Sequence, residues 1–139
     1  MKIIGLDLGT TTCGIAITDS LLICAHGYEN YRFEPGNYKK CREHILEILA
    51  KENVSELCIG LPLHMSGDES DRSESTRRFV DDLLKESPNL KVEFVDERMT
   101  TIIANKRLME ANVSHSKRKE VIDKMAAVAI LESYLQIRR

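Results

Sequence analysis

The chain has 139 residues, of which 30% are charged and 42% apolar, with a formal net charge of −2. Its size and composition predict one globular domain over residues 1–139 and exclude a disordered or strongly basic chain. No apolar run is long enough to cross a membrane and no signal-peptide pattern opens the chain, which predicts a cytoplasmic protein with no membrane partner.

The cysteine spacing and the charge distribution indicate which ligands the chain can bind. The four cysteines lie 11, 17 and 17 residues apart with no CxxC pair, which argues against a zinc site or a disulfide framework. Residues 97–139 contain nine Lys or Arg and five Asp or Glu, a net charge of +4, so the remainder carries −6. The basic C-terminal third is therefore the part suited to contact phosphates.

Two strands joined by a tight turn are predicted for residues 3–19. The opening IIGL has the apolar content of a buried strand, residues 9–12 supply Gly and Thr for a turn, and alternating apolar residues predict a return strand. Asp7 therefore lies within or at the end of a central strand. A carboxylate there requires a cation, a metal ion or several donors; the simplest alternative is that Asp7 only accepts hydrogen bonds from the turn backbone.

The middle of the chain alternates between strands and helices. Residues 21–33 are predicted as a third strand at the sheet edge, residues 37–52 as an amphipathic helix, and residues 56–61, ELCIGL, as a strand covered on both faces. Residues 63–72 have the Ser, Gly and Asp content of an exposed loop. Because the part from residue 65 to 72 is acidic, we interpret it as a mobile flap rather than as a phosphate-binding loop.

The remaining elements complete an α/β pattern. A second helix is predicted from about residue 73 to 88, a strand over 91–96, a third helix over 100–108 and a last helix over 121–135. This order predicts a five-stranded mixed sheet, with three antiparallel strands followed by two parallel strands, and helices on both faces. Sites in such sheets form at the carboxyl ends of strands where the strand order reverses, which is next to Asp7.

Two further carboxylates stand out by position. Glu97 closes the predicted strand at its carboxyl end, where a solvated acid paired with Arg98 is the alternative. Asp123 lies on the inward stripe of the last helix, because small and apolar residues follow it at helical spacing. The alternatives for Asp123 are a helix N-terminal cap or an ion pair with Lys119 or Lys124.

Asp7, Glu97 and Asp123 come from a central strand, a later strand end and a covering helix. Converging there, they could hold one or two divalent cations, and an all-carboxylate set suits Mg²⁺ or Mn²⁺. Paired metals of this kind activate a water and stabilise the leaving oxygen in phosphodiester hydrolysis. The carboxylate pattern therefore points to a metal-dependent hydrolase.

Four motifs in register carry a resemblance over essentially the whole chain. GLDLGTTTCGIAITD, IGLPLHMSG, DERMTT and SKRKEVIDKMAAVAILESYL resemble the YqgF family of Holliday-junction-resolvase-like proteins, also described as pre-16S ribosomal RNA nucleases. The resemblance implies a ribonuclease H-like fold, divalent-metal-dependent nuclease activity, a structured RNA or branched DNA substrate, and a cytoplasmic setting. It also implies that Asp7, Glu97 and Asp123 are the catalytic and metal-binding residues.

The resemblance has two departures: His64 stands where an Asn is common in the IGLPLHMSG segment, and the other lies at the first turn. Related proteins usually carry Lys or Arg where this chain has Thr11, so one basic contact near the first acid is missing. Hydroxyl and backbone donors of residues 10–12 could replace it. The other candidates for phosphate contacts are the basic residues near the three acids, which are Arg98, Lys124 and, on a predicted exposed turn, Lys117, Arg118 and Lys119.

Two other classes of function stay open from the sequence. GLDLGTTTCGIA also resembles the opening of actin, hexokinase and heat-shock-70 type ATPases, but 139 residues leave no room for the second lobe that encloses the nucleotide. A non-catalytic nucleic-acid or ribosome-assembly module is the other alternative. A monomer or weak homodimer is expected, and symmetric cleavage of a junction would require the dimer.

Overall fold

Five strands and three helices make up the part of the chain that the computed structural model describes. It covers residues 1–63, 66, 70–96 and 115–138, with backbone alone for 115–124. The strands are β1 (Ile3–Leu8), β2 (Thr12–Thr18), β3 (Ala25–Arg32), β4 (Glu56–Leu61) and β5 (Lys91–Asp96). The helices are α1 (Tyr38–Glu52), α2 (Asp71–Glu86) and the last helix, named α3 here (His115–Arg138).

The strands form one mixed sheet in the order β3-β2-β1-β4-β5. The β1–β2 and β2–β3 pairs are antiparallel, and the β1–β4 and β4–β5 pairs are parallel. The predicted arrangement of three antiparallel strands followed by two parallel ones is therefore confirmed. Its centre is β1, because that strand has an antiparallel neighbour on one side and a parallel neighbour on the other.

Helices cover both faces of the sheet, which explains why β1 and β4 are apolar without alternation. On one face, even-numbered side chains of β1 such as Leu6 pack with residues of α1 and α2, including Ile45 and Phe79. On the other face, Ile3 and Cys58 pack with residues of α3. The sheet thus divides the core into two clusters, and α3 belongs to the second one.

Three element boundaries differ from the sequence prediction. The strand β3 begins at residue 25 rather than 21, because the Asp19 carboxylate accepts hydrogen bonds from the backbone N–H groups of Ile23 and Cys24 and holds a loop there. Helix α2 begins at residue 71, and α3 extends over 115–138 rather than 121–135. The helix predicted over residues 100–108 lies outside the described residues. No helix of the described segments is long and apolar enough to span a membrane.

Gly5 determines how closely α3 approaches β1. A Cβ atom at this position would lie 2.8 Å from Leu131 Cβ and 3.1 Å from the carbonyl oxygen of Ala127. Both contacts are closer than packed atoms tolerate, and the second involves the helix backbone. The absence of a side chain at Gly5 therefore allows the helix to lie directly on the central strand.

A buried carboxylate joins the end of α3 to the beginning of β4. Glu56 accepts hydrogen bonds from the Tyr134 hydroxyl and from Arg138 Nε at 2.8 Å. Burial acts to raise the pKa of Glu56, but the hydrogen bonds from Arg138 and Tyr134 outweigh it and leave the pKa below its ordinary value. This ion pair fixes the C-terminal turns of α3 against the amino end of the parallel strands.

The substitution Gly5→Ala should destabilise the fold and displace α3. An added methyl in a packed interface costs about 1–3 kcal/mol in the free energy of unfolding, which urea titration measures. Hydrogen exchange should accelerate in the α3 segment around Ala127 and Leu131. Gly36→Ala is the control, because this glycine has a positive φ of 78° but no atom near its missing Cβ, so α3 should keep its protection. Unchanged stability and exchange in Gly5→Ala would contradict this account of the packing.

The ion pair at Glu56 should make stability depend on pH. Because the folded-state pKa is lowered, the carboxylate contributes stability above its unfolded-state pKa of about 4.3 and loses it as the pH falls through the folded value. Glu56→Gln should therefore unfold at lower urea concentration at pH 7, by about 1–2 kcal/mol, with the difference from wild type shrinking below about pH 4. Glu47→Gln, on the exposed side of α1, is the control. A difference that stays constant down to pH 3 would exclude the ion pair as its cause.

Candidate active site

The carboxyl ends of β1, β4 and β5 meet at one edge of the sheet. The parallel register places Leu6 beside Ile59 and Ile59 beside Phe94, so Asp7 lies one residue further along, at the level of Gly60 and Val95. The Asp7 side chain is half-buried there. The structure therefore places Asp7 where the sequence predicted it, near the carboxyl end of the central strand.

Strand alternation assigns the Asp7 side chain to one face of the sheet. Ile3 packs in the core cluster of α3, and a Cβ on Gly5 would point into α3. Since side chains two residues apart share a face, Asp7 lies on the same face as Ile3 and Gly5. The face that Asp7 occupies is thus the one that α3 covers.

Helix α3 runs antiparallel to β1 and β4. Tyr134 and Arg138 contact Glu56 at the amino end of β4, whereas Ala127 and Leu131 lie at Gly5, further along the strands. The preceding helical turn, which begins at Asp123, is about 6 Å further along the helix axis. Asp7 is about 7 Å beyond Gly5 along β1. The backbone turn of Asp123 therefore advances toward the edge where Asp7 lies.

The helix bounds also settle one alternative for Asp123 and correct one prediction. Because α3 begins at His115, eight residues before Asp123, this acid is not a helix N-terminal cap. The sequence placed Lys117, Arg118 and Lys119 on an exposed turn, and that was wrong, because their backbone is helical in the first turns of α3. The helical pattern was missed because this segment is polar on all sides.

Several predicted site residues have no described side chain. Glu97 and Arg98 follow the last residue of β5, Asp96, and lie outside the described residues. The side chains of Asp123, Lys124 and the basic run at 117–119 lie outside them as well. Within the part that is described, no group of three or more His, Cys, Asp or Glu could hold a metal ion. The convergence of Asp7, Glu97 and Asp123 stays a prediction.

The first turn is braced by the segment that follows β3. Gly9 N–H donates to the Thr12 carbonyl at 2.8 Å, and Phe33 N–H donates to the Thr11 carbonyl at 2.9 Å. Thr11 also lines a groove of about 410 Å³ whose walls include Arg32 and Lys40. Two cationic side chains therefore lie near Thr11.

Cys13 lies on β2 opposite Leu8, and it packs in the core cluster of α1 and α2, on the face of the sheet away from the Asp7 side chain. A hydrogen bond with Cys41 and complete burial raise its pKa well above the usual range, and the charge of Asp7 acts in the same direction. The Cys13 thiol therefore stays protonated near neutral pH. Carboxylate oxygens are the ligands that this part of the molecule offers.

Arg72 lies near the site, although the sequence predicted this residue in a loop. It lies in the first turn of α2, and its Nη2 donates to the Leu8 carbonyl at 3.0 Å, at the end of β1. One signal was available in the sequence, since Arg72 is the only Lys or Arg between Lys51 and Arg77. Its partner could not be predicted, because Leu8 is 64 residues away in the chain.

The beginning of α2 is fixed by a capping box at Ser70. The Ser70 side chain accepts a hydrogen bond from Ser73 N–H, and the Ser73 side chain accepts one from Ser70 N–H. The Ser70 hydroxyl is also within hydrogen-bond distance of the Pro62 carbonyl, just after β4. These contacts hold the first turn of α2, and with it Arg72, against the carboxyl ends of β1 and β4.

Ser70→Ala should therefore loosen the first turn of α2. Loss of the cap should lower the free energy of unfolding by about 1 kcal/mol, measured by urea titration. Ser75→Ala on the same helix is the matched control and should have little effect, because alanine favours the helix interior. Equal stability of the two variants would show that the capping box does not hold this turn.

The chain is similar to known proteins over nearly its whole length. The family model described as RuvX, Holliday junction resolvase, matches residues 1–137. A protein of Oceanobacillus iheyensis named "Putative pre-16S rRNA nuclease" is 41% identical over 135 residues, 97% of this chain and 98% of the relative. A protein of the same name from Staphylococcus aureus is 41% identical over 134 residues, 96% of this chain and 94% of the relative.

Solved structures share the fold at low sequence identity. Thermus thermophilus RuvC in complex with a Holliday junction substrate has a TM-score of 0.63 at 17% identity, covering 99% of this chain and 96% of that one. The fowlpox virus resolvase in complex with Holliday junction DNA has a TM-score of 0.59 at 13% identity, covering 99% of both chains. The predicted ribonuclease H-like fold is confirmed.

Proposed function

Because this chain belongs to the RuvX family of Holliday junction resolvases, we infer that it is a nuclease, a hydrolase of phosphodiester bonds. We propose that it is an endonuclease that uses Mg²⁺ or Mn²⁺ and processes the 5′ end of pre-16S ribosomal RNA in the cytoplasm. The observation that carries the proposal is the half-buried Asp7 carboxylate at the shared carboxyl edge of β1, β4 and β5, on the face that α3 covers.

Asp7, Glu97 and Asp123 would hold one or two metal ions in this proposal. Asp7 fits the role because its carboxylate offers the oxygen ligands that Mg²⁺ and Mn²⁺ prefer. The antiparallel course of α3 supports Asp123 as a second ligand, and Glu97 follows directly on β5. A bound divalent ion would activate the attacking water and stabilise the leaving oxygen.

The protein itself supplies rigid placement of the reacting groups. Asp7 lies on a strand paired on both sides, so its backbone cannot move without breaking the sheet. The close contact at Gly5 fixes the distance between β1 and α3. Arg98, Lys117, Arg118, Lys119 and Lys124 are proposed to contact phosphates on either side of the cleaved bond, which positions the substrate without reading its sequence.

We propose ribosomal RNA ahead of branched DNA as the substrate because the relatives named for rRNA are more similar in sequence to this chain. The relatives named for pre-16S rRNA are 41% identical over nearly their whole length, whereas the two solved resolvases described above are 17% and 13% identical and show only the fold. A Holliday junction resolvase stays the second candidate, since the RuvX model carries that description. Cleaving one strand requires only a monomer, whereas symmetric junction cleavage requires a homodimer.

The substitution Asp7→Asn should abolish cleavage and metal binding together. Loss of a ligand carboxylate should reduce the cleavage rate at least about 100-fold, measured with Mg²⁺, Mn²⁺ or EDTA on a pre-16S rRNA fragment and on a four-way DNA junction. Mn²⁺ should also raise the thermal unfolding midpoint of the wild type and leave that of Asp7→Asn unchanged. Asp81→Asn, an exposed acid on α2, is the matched control and should behave as wild type.

Several results would contradict the proposal in different ways. Unchanged cleavage by Asp7→Asn would exclude the carboxylate mechanism. Binding without cleavage under every metal condition would favour a ribosome-assembly module, and ATP hydrolysis without cleavage would favour the ATPase alternative. Cleavage of the junction but not of the rRNA fragment would assign the protein to branched DNA.

A further inference from the structure

Arg72 joins the first turn of α2 to the end of β1 beside the proposed active site. Its Nη2 atom donates to the Leu8 carbonyl at 3.0 Å, and Leu8 directly follows Asp7 in the strand. The side chain therefore bridges two elements, with its guanidinium held at the edge where Asp7 lies. Nothing in the metal site as proposed above requires a cation at this position.

The positive charge of Arg72 is not neutralised by a carboxylate among the described residues. The other anchored arginines differ in this respect, since Arg42 pairs with Glu86 at 2.8 Å and Arg138 pairs with Glu56 at 2.8 Å. Arg72 contacts a carbonyl oxygen and is exposed to solvent. A guanidinium has five N–H donors in a planar fork, so most of them stay available for a second partner.

The position of this guanidinium is fixed before any substrate arrives. The capping box at Ser70 defines the first helical turn, and the contact between Ser70 and the Pro62 carbonyl joins this turn to the end of β4. Because the hydrogen bond to the Leu8 carbonyl already restrains the guanidinium, less side-chain entropy is lost on binding an anion. Such a preorganised arginine is suited to a bidentate contact with a phosphate.

We propose that Arg72 binds a backbone phosphate of the nucleic-acid strand next to the bond that is cleaved at Asp7. This assignment rests on the proposed nuclease function and adds a substrate contact to it. It places a cation at the end of β1, where Leu8 follows Asp7 in the chain. The competing explanation is that Arg72 only caps the Leu8 carbonyl.

Two substitutions separate the phosphate contact from the cap. Arg72→Gln removes the charge and, because its amide ends two bonds short of the Nη2 atom, also the hydrogen bond to the Leu8 carbonyl, whereas Arg72→Lys retains the charge. Arg78→Gln is the matched control, because Arg78 is exposed on the same helix but further from its N-terminus. Binding of fluorescein-labelled pre-16S rRNA fragment and four-way DNA junction is measured by anisotropy in EDTA, at several salt concentrations.

The phosphate contact predicts a specific change in salt dependence. Arg72→Gln should weaken binding about tenfold and reduce the slope of log K against log salt by about 1, whereas Arg72→Lys and Arg78→Gln should keep the wild-type slope. The thermal unfolding midpoint of each variant is recorded alongside. Arg72→Gln should change that midpoint little, because it removes one hydrogen bond of an exposed side chain.

The outcomes distinguish this assignment from the proposed function. If the wild type binds nucleic acid and Arg72→Gln binds it with the same affinity and slope, the role of Arg72 is overturned and the nuclease proposal stands. If Arg72→Lys loses as much affinity and stability as Arg72→Gln, the side chain is a structural cap. If the wild type neither binds nor cleaves either substrate, both the function and the phosphate contact are overturned.

Discussion

The close contact between α3 and β1 at Gly5 is the constraint on which the rest of this structure depends. A helix that lies directly on the central strand buries the Ile3 side of the sheet and brings its own N-terminal turns toward Asp7. The separation of α3 and β1 at Gly5 determines how densely the core is packed. It also determines the distance between β1 and the helical turn that begins at Asp123. A residue with no functional group therefore bears on the active site.

Charged side chains have different partners at the two ends of the parallel strands. At the amino end, Glu56 is buried and neutralised by Arg138, with Tyr134 completing its hydrogen bonds. At the carboxyl end, Asp7 is half-buried and Arg72 contacts a carbonyl oxygen rather than an acid. The first arrangement holds the fold together, whereas the second is where we propose that ions and phosphates bind.

The sequence predicted the sheet well because its strands are short, apolar and clearly bounded. β4 and β5 were located to the residue, and the central position of Asp7 followed from the strand order. What could not be predicted depends on contacts between distant residues, such as the bond from Arg72 to Leu8. The early start of α2 was missed because Ser, Gly and Asp are common to loops and to helix caps, so composition alone cannot separate them.

The length of α3 determines how far a change at the Gly5 contact displaces the ends of the helix. A 24-residue helix is about 36 Å long, whereas the six residues of β1 span about 20 Å, so the helix is far longer than the strand it covers. The helix extends about 18 Å from Ala127, which contacts Gly5, to its first residue, His115. A tilt of about 10° around Ala127 would move the backbone at His115 by about 3 Å. A small change in the packing at Gly5 would therefore be amplified at the basic beginning of α3.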